Sequence, residues 1–123
     1  MKTATLVLQN LIRLIGVILI VLGIRFWMHR ALGFIGIHMR LGELLVVLLW
    51  VLAWIALRAG VRQQLVLASI LYGFVAFLFA VNMGRLLPGR AHEVIRVVHL
   101  FLGLGAIGFA ESLGKRIKIN EGI

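Results

Sequence analysis

The stretch IGIHMRLGELLVVLLWVLAWIAL, residues 35–57, decides the fold. It is apolar for the length a helix needs to cross a lipid bilayer, about 20 residues. It shows no period-two alternation and is rich in Leu and Ala, so it reads as a helix and not a strand. Three further runs share these properties, at about 6–27, 65–83 and 94–113. The predicted architecture is therefore all-α: an integral membrane four-helix bundle with up-down-up-down topology, one transmembrane domain over residues 1–123.

Composition agrees. Of 123 residues, 63% are hydrophobic, and the mean hydropathy is +1.11. A water-exposed globule this small needs more polar surface than that, so lipid is the expected solvent and the first partner. The net charge of +9 raises the question of nucleic acid. The basic residues instead gather at the ends of apolar runs, where lipid phosphates lie, and no nucleic-acid motif accompanies them. No nucleic-acid partner is expected. The chain has no cysteine, which excludes disulfides, thiolate-bound metals and covalently attached haem within it. It also has no Asp and only Ser69 and Ser112 as serines, so no hydrolytic triad can be assembled. Any chemistry here is expected to be redox chemistry brought by a cofactor.

The connections are short. LRAGVRQQ (57–64) joins the second and third spans, with Gly60 suited to cap a helix. GRLLPGRAHE (84–93) joins the third and fourth, with a turn expected at Pro88-Gly89. MHRALGFIGI (28–37) is apolar and reads either as an interfacial segment or as the start of a long second helix. Asn10 and Arg13 interrupt the first run and no small-residue cleavage site follows, so it is retained as a helix and not a signal peptide. Basic residues divide evenly, with Arg25, Arg30, Arg40, Arg85, Arg90 and Arg96 at one side and Lys2, Arg58, Arg62, Lys115, Arg116 and Lys118 at the other. The positive-inside rule gives only a small lean, taken here as a bacterial inner (cytoplasmic) membrane protein with both termini in the cytoplasm.

This topology gathers all four histidines at one membrane side. His29 ends the first span, His38 opens the second, His92 opens the fourth, and His99 follows two turns later. The second and fourth spans run parallel, which sets His38 and His99 at similar depth. Both begin the same pattern, His-x-x-Leu-Gly: His38-Leu41-Gly42 and His99-Leu102-Gly103. At 100° per residue, His92, His99, Gly103, Ala106 and Ala110 form one stripe that is small below His99. A porphyrin needs such an arrangement: an imidazole on each side of the iron and no bulk one turn away. Its acidic propionates need cations, and Arg40 and Arg96 lie close to the two histidines in sequence. An arginine inside a membrane helix is expensive unless paired.

The two His-x-x-Leu-Gly openings on a small four-helix membrane bundle resemble integral-membrane b-type cytochromes of the cytochrome b561-like kind. The resemblance covers the bundle and these two segments. It implies one haem b with His38 and His99 as axial ligands to the iron, a cofactor site completed by Gly42, Gly103, Arg40 and Arg96, and electron exchange with quinone or another redox protein. Many such cytochromes hold a second haem near the opposite face, where this chain has no histidine. His29 and His92 are secondary ligand candidates, as is Met83, which shares a stripe with Tyr72, Ala76 and Phe79.

Plainer roles stand beside these. Histidines at headgroup level are often only polar residues, which suits His29 and His92, and small residues on a membrane helix often mark close packing. Glu43 with Arg40, Glu93 with Arg96 and Glu111 with Lys115 have ion-pair spacing. Glu43 is also the best-placed proton relay. Trp27 fits an interfacial belt, while Trp50 and Trp54 could face lipid, a partner or a pigment. The alternatives to an electron-transfer subunit of a larger complex are a cofactor-free accessory subunit, packed against other membrane proteins or its own copies, and a small oligomeric transporter.

Overall fold

A computed structural model describes residues 2–83 and 92–122. Four helices account for almost all of them: α1 (Lys2–Trp27), α2 (Ile35–Arg58), α3 (Gln63–Asn82) and α4 (His92–Glu121). A short 3-10 turn, Leu32–Phe34, leads into α2. All four helices are long and apolar enough to cross a membrane. The four-helix fold expected from the hydropathy pattern is the fold observed. The proposed Pro88-Gly89 turn, and Arg85 and Arg90, lie outside the described residues.

Two helix ends are closed in the same way. After α2, the Val61 amide donates to the Ala56 carbonyl at 3.0 Å while Gly60 takes φ +81°, the six-to-one closure that glycine favours. After α1, the Arg30 amide donates to the Arg25 carbonyl at 2.8 Å, and the left-handed position is His29, at φ +57°. A histidine tolerates that region better than most side chains but at a cost. Ala31 is left-handed too. The segment between α1 and α2 is therefore a tight reversal and not a continuation of α2.

The parallel helices α2 and α4 touch across the centre, and each also packs on α1 and α3. Side chains sealed from the surroundings concentrate towards the end that holds Lys2, Arg58 and Gln63: Ile12, Leu49, Leu52, Leu113 and Ile117 are each at most 1% exposed. Trp50 is part of this packing. Its Nε1 donates to the Ile70 carbonyl at 3.2 Å, and its indole lies so close to Gly73 that a Cβ there would collide with it. Trp54 instead faces outward, 52% exposed, beneath the Arg58 guanidinium at 5.5 Å.

Helix α4 continues to Glu121, past the expected end of the apolar run at Leu113. Its 30 residues rise about 45 Å, against about 30 Å of hydrocarbon. The overhang is anchored: Ile117 is buried and the Asn120 side-chain amide donates to the Ala59 carbonyl at 3.2 Å. The outward surfaces are apolar on every helix, as with Leu14, Trp54, Leu71 and Phe101, which suits contact with lipid.

Candidate functional site

At the other end of the bundle, each helix contributes one ring to a single cluster. His38 on α2 and His99 on α4 face each other with ring centres 6.1 Å apart and planes inclined at 56°. Phe26 of α1 meets His38 edge-on at 5.2 Å. Phe79 of α3 lies nearly parallel to His99 at 6.3 Å. Gly23, almost one turn before Phe26, lies beside His38: a Cβ there would sit 3.7 Å from the imidazole Cε1, an ordinary van der Waals contact. Both histidines are half-buried. The His38 Nδ1 is buried with no hydrogen-bond partner, an uncommon state for a buried polar atom and one that points to an unmet ligand or donor.

The glycines fall into two kinds. At Gly16, Gly73, Gly105 and Gly114 a Cβ would strike a neighbouring side chain, so these exist for close helix packing. At Gly42 and Gly103, each one turn below its histidine, a Cβ would meet nothing within 4 Å, although both residues are half-buried. Open backbone beside two facing imidazoles is the shape a flat group requires. Gly33, Gly36 and Gly108 are equally unobstructed, but they are exposed.

The other sequence-predicted residues are placed less centrally. Arg96 is 32% exposed and pairs with Glu93 at 2.9 Å. Arg40 pairs with Glu43 at 3.5 Å and is 84% exposed; two positions from His38, it lies about 200° round the helix from it. Glu43 thus has the partner its spacing indicated. His92 begins α4, seven residues and about 10 Å of rise from His99. His29 is exposed in the turn after α1, and Met83 lies half-buried just past α3. Phe26 escapes sequence reasoning; its one signal is a three-residue spacing from Gly23.

Glu111 does not behave as its spacing from Lys115 predicts. It takes Arg13 of α1, which donates from Nε to Oε1 at 2.5 Å and from Nη2 to Oε2 at 2.8 Å. A bidentate guanidinium fork outcompetes a single flexible ammonium for a carboxylate.

Two imidazoles bound to opposite sides of one metal ion, each nitrogen about 2 Å from it, put their ring centres about 6 Å apart. The His38–His99 separation matches that span. Among the described residues no group of three or more His, Cys, Asp or Glu could hold a metal ion, so a bare ion would lack ligands here. Two axial donors suffice where a macrocycle supplies the rest.

Comparison with known protein families, curated proteins and solved structures gives no match.

Proposed function

We propose that the chain is a membrane electron-transfer subunit that holds one haem b between His38 and His99. The observation that carries this reading is the pair of imidazoles 6.1 Å apart on parallel helices, with unfilled backbone at Gly42 and Gly103. Haem b, when bound, supplies reversible one-electron chemistry. The chain's own groups do the rest. His38 and His99 would hold the iron. Phe26 and Phe79 hold the imidazole planes and keep water from them. Arg96, half-buried three residues from His99, is the better-placed cation for a propionate, which it would take in exchange for Glu93. Arg40 serves this role less well, because it lies on the far side of α2.

The wider reading follows from the cofactor. A haem held within a lipid-embedded bundle would exchange electrons with a lipid-soluble carrier such as quinone, or with a neighbouring subunit of a redox complex. We place it in the bacterial cytoplasmic membrane with both termini in the cytoplasm, so that the histidine end faces outward.

The test is optical. Full-length protein expressed with ample haem should show a reduced-minus-oxidised b-type band at one haem per chain, with a low-spin bis-imidazole spectrum. His38→Ala and His99→Ala should each lower haem content at least tenfold, whereas His29→Ala and His92→Ala leave it unchanged. A colourless wild-type protein, or equal haem content in the His38→Ala plus His99→Ala variant, overturns the proposal and leaves the cofactor-free accessory subunit as the better account.

A further inference from the structure

The opposite end of the bundle carries a second candidate site. A groove of about 460 Å³ runs between α1 and α4 and is lined by Gln9, Arg13, Glu111, Ser112, Lys115 and Lys118. It sits where α4 leaves the hydrocarbon, at the level expected for lipid headgroups. Three cations stand against one carboxylate, and that carboxylate is already held on both oxygens by Arg13. The groove therefore presents a net positive wall made by Lys115 and Lys118.

An independent feature lies in the same wall. Gln9 is 3% exposed, and its Oε1 is buried with no hydrogen-bond partner. It is held against α4 so closely that a Cβ on Gly114 would strike its amide. A buried amide oxygen without a donor is costly, and Gln9 lines the same groove as Lys115 and Lys118, a set that suits a ligand combining an anion with a hydroxyl.

We propose that this groove binds the headgroup of an anionic glycerophospholipid, with the phosphodiester at Lys115 and Lys118 and a headgroup hydroxyl donating to Gln9 Oε1. The hydroxyl separates this from simple attraction of a basic protein to an acidic membrane. The site uses none of the residues assigned to haem, so the two proposals stand or fall separately.

Native mass spectrometry of the full chain, released from mixed-lipid nanodiscs, reads retained lipid directly. Phosphatidylglycerol should be retained about tenfold over phosphatidylcholine. Lys115→Gln with Lys118→Gln should abolish that preference. Lys2→Gln with Arg62→Gln removes the same charge from the same side outside the groove, and should keep it. Gln9→Met should leave anionic preference intact but erase discrimination between phosphatidylglycerol and phosphatidylmethanol, which has the same charge and no hydroxyl. Equal losses in the two double variants would reduce the effect to surface potential and overturn the site. Displacement of the lipid by millimolar inorganic phosphate would overturn it in favour of a free-phosphate site.

Discussion

The two ends of the bundle are built on different terms. Towards Lys2 and Glu121 the helices interlock: Ile12, Leu52, Ala53, Ala56, Leu113 and Ile117 are sealed, and glycines bring Trp50 and Gln9 against neighbouring backbone. Towards the histidines, over residues 17–44, 74–83 and 92–105, Ile95 is the single buried side chain among those described. What meets there instead is four rings and two glycines with nothing over them. Helix association in lipid gains little from the hydrophobic effect and depends on close packing. The interlocked end therefore fixes the register of the helices, and the open end uses that register to bring two imidazoles together. On the haem proposal the division has a reason: a site that must admit a large flat group cannot also be the place that holds the bundle together.

Large-to-small substitution should expose this division most strongly. Leu52→Ala, at a wholly enclosed position, is expected to lower stability by about 2–4 kcal/mol. Phe79→Ala, at the ring cluster, should change haem-free protein by about 1 kcal/mol or less. Unfolding in mixed micelles, followed by circular dichroism, measures both. Equal losses at the two positions would mean that the histidine end is core after all.

Adding a methyl group sharpens the same contrast. Gly114→Ala and Gly73→Ala force a Cβ into Gln9 and Trp50, and each should lose about 1–3 kcal/mol. Gly42→Ala and Gly103→Ala enter empty space and should leave haem-free stability within about 0.5 kcal/mol. Their effect should appear instead as several-fold weaker haem retention. Unaltered haem retention in both would remove the glycines from the proposed cradle.

The sequence announces the fold more clearly than the site. Spans show because lipid demands apolar length, and His38 and His99 can be paired because topology makes their helices parallel. Three features stay hidden for physical reasons. The last turns of α4 carry Lys115, Arg116 and Lys118, which end the hydropathy signal while the helix continues into the headgroup region. Phe26 looks like any apolar residue, since its importance lies in a neighbour from another helix. Glu111 has a local cation four residues away, and only the three-dimensional approach of α1 offers it a better one.

That last choice gives the smallest of the expected effects and the most diagnostic. Arg13 and Glu111 are each partly exposed, and Arg13 also donates from Nη1 to Asn10 Oδ1 at 3.2 Å. Were the pair merely opportunistic, Arg13→Gln and Glu111→Gln would have additive effects on stability. If the fork locks α1 to α4, each single variant should lose most of what the pair contributes, because each breaks both hydrogen bonds of the fork and leaves one charge at the lipid boundary without its partner. The double variant should then regain part of the loss, a coupling that a double-mutant cycle isolates. Arg13→Gln should also weaken retention of anionic lipid, since Glu111 would then turn its charge on Lys115 and Lys118, while the double variant restores it. Additive stabilities would reduce the pair to a surface contact and leave the interlocked end to packing alone.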